Sequence, residues 1–139
     1  EIASCLVGSE MCIRDSVYTD AEGVRRAAFF DFDDAGPGFL AYDLCVWLWS
    51  NLPRKAPLEP DEALLKRWQQ YLAGYRAGGG HVTDADLAAL PLFVQLRHLW
   101  NMGEGVARIH HWGANMMSAD WIKKQPDVMA AWARLDLPA

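Results

Sequence analysis

"FFDFDDAGPGFLAYDLCVWLWSNL", residues 29–52, decides how the rest of the chain is read. It opens on an aromatic lead-in of strand character, gathers Asp31, Asp33 and Asp34, and turns on Gly36, Pro37 and Gly38. From Tyr42 onward it is apolar on every side for about three turns, with Asp43 near the start and Pro53 just past the end, which predicts a buried helix. A strand, an acidic junction, a turn and a buried helix therefore follow one another directly. Three carboxylates so close repel each other, so a cation or a proton offsets the repulsion unless water screens it.

The flanks extend this plan. Val17–Thr19 and Val24–Phe32 are rich in β-branched and aromatic residues, and "DAEG" between them supplies turn chemistry, predicting a β-hairpin that ends in the acidic cluster. Downstream, "PRKAPLEP" is a Pro-rich connector. Leu64, Leu65, Trp68, Leu72 and Tyr75 then recur at helical spacing from Asp61 and stop at Gly78-Gly79-Gly80. Thr83 with Asp84 and Asp86 predicts an N-cap and the start of a long third helix. On that helix Leu92, Leu96, Leu99, Gly103, Val106 and His110 mark one face, and Arg97, Asn101, Glu104, Arg108 and His111 another, which would line solvent or a cleft. Gly103 and Gly105 predict a bend or a close approach. Two short helices, near Ala119 to Lys123 and Asp127 to Leu135, complete the chain. The fold class expected is mainly α with a small β-hairpin, an α+β arrangement.

Composition agrees with a single folded unit. The 139 residues are 52% hydrophobic with seven Trp, enough for one core and far from the composition of a disordered chain. A net charge of −5 without clustered Lys or Arg excludes a general nucleic-acid platform, so no nucleic-acid partner is expected. Three cysteines without CxxC spacing favour a reducing compartment, and no apolar run reaches the ~20 residues of a membrane span. The expectation is a cytoplasmic protein with no membrane partner.

A strand ending in Asp-x-Asp is a recurrent way to hold Mg²⁺, since Asp31 and Asp33 at alternate positions share one side of the strand. The same carboxylates could instead merely cap the following turn, as in a non-enzymatic helical binding module. A calcium EF-hand loop is excluded, because its fifth and twelfth positions fall on Ala35 and Tyr42. An Asp-nucleophile phosphatase also begins with an apolar strand and Asp-x-Asp, but the hydroxyl it uses two residues later is Ala35 here.

Residues 29–52 taken together resemble the metal-binding segment of the aminoglycoside phosphotransferase and choline kinase-like family, homoserine kinase-like members included. "PLFVQLRHLWNMGEGVARIHHWG" and the terminal Trp-containing helices look like that family's C-terminal lobe, part of a protein kinase-like fold. The resemblance implies transfer of the γ-phosphoryl group of ATP to a hydroxyl of a small-molecule acceptor, with ATP and Mg²⁺ as cofactors. It implies Asp31 and Asp33 as metal ligands, and Asp43 as a brace for the catalytic loop. Arg97, Asn101 and Glu104 would line an acceptor cleft, since the family builds that site from C-terminal helices. An amino sugar, an amino alcohol or a homoserine-like molecule would suit as acceptor, the negative balance favouring a cationic one.

The same family places a His-Gly-Asp-x-x-x-x-Asn loop shortly before the metal strand, its Asp serving as general base. "EIASCLVGSEMCIRDS", residues 1–16, holds no His and no Asn. Arg14-Asp15 superficially resembles a kinase pair, but the residue five further on is Asp20, in the hairpin turn, so no catalytic base is assigned. "SCLVGSEMCIRDS" is similar to a peptide translated from sequencing-adaptor DNA, and "VYTDAEGV" onward continues in the family's register. Residues 1–16 are therefore expected to be non-native and 17–139 a partial C-terminal lobe, inactive alone because the nucleotide-binding lobe and the base are missing. His110 and His111 point about 100° apart on a helix and cannot chelate one metal, and His81 and His98 have no Cys or His at ligand spacing.

Overall fold

The computed structural model describes residues 3–5, 17–27, 36–113 and 117–138. Short antiparallel strands β1 (Ala3–Cys5), β2 (Val17–Thr19), β3 (Arg25–Ala27) and β4 (Gly36–Gly38) precede the helices. The helices are α1 (Leu40–Asn51), α2 (Glu62–Ala77), α3 (Asp84–Ala107), α4 (Ile109–Trp112) and α5 (Ala119–Trp132). The chain is thus mainly helical with a small β-hairpin, as its patterning predicts.

The hairpin pairs Val17 with Ala27 and Thr19 with Arg25. Its turn is organised by Asp20, whose carboxylate accepts from the backbone N–H groups of Glu22 and Val24 and pairs with Arg26, while Gly23 takes φ +79°. The predicted continuation of this strand to Phe32 lies outside the described residues. Gly36–Gly38 is read from sequence as a turn but forms a strand, with Cys5 opposite Gly36 and Ala3 opposite Gly38. Pro37 is tolerated there because, among the described residues, the pair has no third strand to demand its missing N–H.

α1 is the hub. Leu40, Ala41, Leu44, Cys45, Val46 and Leu48 are buried around most of its circumference, and it packs most extensively on α3. α2 presents Leu64, Trp68 and Leu72 to the same core, and α5 adds Val128 and Trp132. The N-cap expected at Thr83 is present, and α2 has one as well. Asp61 accepts from the N–H of Leu64, and Thr83 with Asp86 forms a full capping box at the head of α3. The two short helices expected near Ala119 to Lys123 and Asp127 to Leu135 are one continuous helix, α5, with Pro126 inside it. Both Pro126 and Ile122, whose carbonyl loses its partner, are on the exposed side, where water can take the bond. Gly105 shows the close approach anticipated for it, since a Cβ there would run into the side chain of Met117.

The long helix turns over relative to the simplest reading of its pattern. Leu90, Val94, Arg97 and His98 form its buried face, while Leu92, Leu96 and Leu99 face outward. Polar groups can occupy the inward face because they find partners there. His98 is fully buried, its Nδ1 accepting from Trp49 Nε1 at 3.2 Å and its Nε2 meeting Gln125 Oε1 at 2.8 Å. Gln125 is held in turn by donating to the Trp121 carbonyl at 2.6 Å, which leaves its oxygen to accept from a neutral, Nε2-protonated imidazole. Trp132 packs edge-on against the ring at 5.0 Å, and Arg54, stacked over Trp49, adds a nearby positive charge.

Burial, with Arg54 in support, pushes the His98 pKa below its ordinary 6.5, although the bond to Gln125 acts in the opposite direction. The unfolded chain therefore takes up this proton before the folded one does. Stability is expected to fall as pH drops below about 6.5 and to go on falling until the folded imidazole is itself protonated. Urea midpoints measured between pH 7.5 and 5 check this. A His98→Asn variant should lose that slope.

Candidate functional site

β4 delivers the chain through Phe39 into the first turn of α1, so the residues that follow the acidic cluster stand at the head of the most buried helix. Two polar side chains leave that turn in succession. Asp43 is half-buried and accepts a hydrogen bond from Tyr75 Oη at 3.3 Å. The approach depends on the glycine run closing α2. Gly79 takes φ +94°, and Gly80 lies so close to the Tyr75 ring that any Cβ would collide with it. Tyr71, stacked on Trp47 at 5.1 Å, is close enough to feel the charge of the same carboxylate.

Burial raises the Asp43 pKa above its ordinary 3.8, and the Tyr75 hydrogen bond only partly opposes it. Tyr71 is raised strongly too, by burial first and then by the negative charge of Asp43. Asp43 is thus a carboxylate that folding makes harder to ionise. The stability it contributes is present below pH 3.8 and is lost as pH rises through its elevated folded value. Asp43→Asn keeps an acceptor for Tyr75 without the charge, and is expected to raise the urea midpoint at pH 7. A lowered midpoint would mean that the charge is matched by a donor stronger than Tyr75. A group retained at such a cost is a candidate for function rather than packing.

Tyr42, one residue earlier, points to α3. Its hydroxyl accepts from Arg97 Nη1 at 3.3 Å and its ring meets Phe93 edge-on at 6.1 Å. The Arg97 guanidinium lies 4.4 Å from the Trp100 ring and 5.4 Å from that of Trp49, with only 7% of the residue exposed. Its Nε is buried with no hydrogen-bond partner, and no carboxylate pairs with it among the described residues. Glu104 is turned to Arg108, 2.8 Å away on the next turn, and Asn101, between Arg97 and Glu104 in sequence, is half-buried. The three residues expected to line an acceptor cleft therefore share a helix, but Arg97 and Glu104 make separate contacts.

Asp31, Asp33 and Asp34 lie outside the described residues. Among the described residues no group of three or more His, Cys, Asp or Glu could hold a metal ion. Both strand pairs are antiparallel, with no parallel pair of the kind an Asp-nucleophile phosphatase needs among the described residues. Sequence pattern marks Tyr42 and Tyr75 only as helix positions and gives neither of them, nor Tyr71, a role at the site. The signal for them was weak: Tyr71 and Tyr75 stand one turn apart on α2 and so face α1 as a pair, which periodicity shows only once Asp43 is known to be their partner.

Residues 13–81 match the phosphotransferase enzyme family, a span that runs from ahead of the hairpin through Asp31, Asp33 and Asp43 to the end of α2. Over that span, 69 of the 139 residues, the chain is similar to this family. The match begins at residue 13, ahead of Val17. A protein of Deinococcus radiodurans named only as uncharacterized is 40% identical over 108 residues, which are 78% of this chain and 30% of that protein. The chain thus covers less than a third of the length of this relative. No solved structure matches the chain. Among the described residues no helix is long and apolar enough to cross a membrane.

Proposed function

We propose that this chain is part of an ATP-dependent phosphotransferase that moves the γ-phosphoryl group to a hydroxyl of a small molecule. The observation that carries the reading is the family match across one unbroken stretch, from the hairpin through Asp31 and Asp33 to Asp43 and α2. Two carboxylates at alternate strand positions suit Mg²⁺, which commonly takes one or two protein carboxylates together with nucleotide phosphates. Asp31 and Asp33 would hold it, and the bound ion would neutralise charge on the transferring phosphoryl group.

Asp43 supports the reading from the fold side. Tyr75 is its hydrogen-bond donor among the described residues, yet an ionised carboxylate has about four acceptor positions. The rest can take backbone N–H groups of a neighbouring loop, which is how a bracing carboxylate would act. The 139 residues contain no His-Gly-Asp-x-x-x-x-Asn sequence, so this chain by itself is expected to transfer no phosphate. Asn101 and Glu104 on α3 are the acceptor-side candidates, and an amino sugar, an amino alcohol or a homoserine-like molecule is the acceptor class.

The test is an assay of an intact reading frame containing these residues, with γ-labelled ATP, Mg²⁺ and a panel of such hydroxyl compounds. A labelled phosphate ester that appears only with acceptor present is the expected product. Hydrolysis of phosphate monoesters without ATP, with no transfer to any hydroxyl, would overturn the reading.

A further inference from the structure

The outward face of α3 combines two features that are costly unless something covers them. Leu92, Leu96, Leu99 and Val106 fall within roughly an 80° arc of the helix, and Trp100 extends it on one side. Leu92 is 58% exposed, Leu99 50% and Val106 57%. Single exposed leucines are ordinary, but a continuous apolar stripe along four turns marks a surface that packs against another.

At the edge of that stripe sits Arg97. Its cation rests on the ring of Trp100, itself 46% exposed, and has Tyr42 as its hydrogen-bond acceptor. A guanidinium this deeply buried, with Nε unpartnered and no carboxylate in reach among the described residues, lacks the anion that normally offsets its lost hydration. The face therefore asks for an occupant that is apolar along its length and carries a carboxylate at the Arg97 end.

A second copy of this chain docked through the same face is a poor occupant, since Glu104, a carboxylate on α3 beside it, is already paired with Arg108. The Deinococcus relative suggests a better one. The shared 108 residues are 30% of it, so most of that polypeptide lies outside the stretch represented here. We propose that the Leu92–Val106 face, with Arg97 at its edge, is the seat of a further segment of the same polypeptide, an apolar surface that places an Asp or Glu against the guanidinium. This does not rest on the proposed reaction, and its test reads no activity.

The test compares maleimide labelling of Leu99→Cys, with Cys5 and Cys12 replaced by serine, in two settings. One is the 139-residue chain alone. The other is a hybrid in which this chain's residues replace the matched stretch of the Deinococcus relative. The exposed thiol should label quickly in the isolated chain and at least tenfold more slowly in the hybrid. Adding Arg97→Met to the hybrid should restore much of the rate, and Arg97→Lys should restore less. A cysteine at the aligned position of the intact relative gives the same comparison without a hybrid. Equal rates in the chain and in the longer proteins would overturn the proposal. So would protection that already appears in the isolated chain and grows with its concentration, which would make a second copy the occupant.

Discussion

Trp68→Ala is expected to cost about 3–5 kcal/mol, the range for deleting a large aromatic side chain from a packed core. Trp68 is fully buried between Trp47 at 5.9 Å and Tyr71 at 5.8 Å, and its Nε1 donates to the Pro138 carbonyl at 3.0 Å. One side chain thus ties α2 to α1 and holds down the C-terminal tail. A domain of this size has about 5–15 kcal/mol in total, so the variant should be partly unfolded at body temperature. Urea denaturation followed by circular dichroism measures the loss, and Trp68→Phe should recover most of it while still lacking the bond to Pro138. A loss below about 1 kcal/mol would show that α2 is not packed on α1 in this way.

The largest effect on activity is expected at the acidic junction. In an intact reading frame containing these residues, Asp31→Ala or Asp33→Ala should lower kcat/KM roughly a thousandfold, the scale on which removal of one group stabilising transition-state charge is felt. The double variant should be little worse than either single one, because both carboxylates would serve one ion and their effects would not add. Asp20→Ala is the control. Asp20 shapes the hairpin turn and pairs with Arg26, so its loss should cost stability and leave chemistry alone. Undiminished transfer in both single variants would remove the metal assignment, and with it the reason for three neighbouring carboxylates.

Helices α1, α2 and α3 were legible because their signals are local. Asp61 and Thr83 announce their helices through bonds to residues three positions on, and Gly79 stops α2 through a φ that other residues avoid. The orientation of α3 was not legible. Its pattern offers two amphipathic faces, and the choice depends on tertiary partners, Trp49 and Gln125 for His98 and Tyr42 with Trp49 for Arg97, which lie 27 to 55 residues away in sequence. The continuity of α5 across Pro126 was not legible for a related reason, since whether a proline breaks a helix depends on where the orphaned carbonyl points. At the site, the Tyr-Asp-Leu opening of α1 carried the family signal, whereas the burial that makes Asp43 costly came only from the folded arrangement of Tyr71 and Tyr75. Asp31 and Asp33 are read from sequence and family match alone.

Paramagnetic relaxation bears on them most directly. Trace Mn²⁺ is added with ATP to the chain labelled with ¹³C at aspartate carboxylates, each resonance assigned by Asp→Asn substitution. Mn²⁺ replaces Mg²⁺ at oxygen sites and broadens nearby signals even when binding is weak. The resonances of Asp31 and Asp33 should vanish first, ahead of Asp20, Asp61 and Asp84, and Asp31→Asn should spare Asp33. Uniform broadening of all the aspartates, or loss of the exposed ones before Asp31 and Asp33, would contradict the claim that this junction evolved to grip a nucleotide-bound divalent ion.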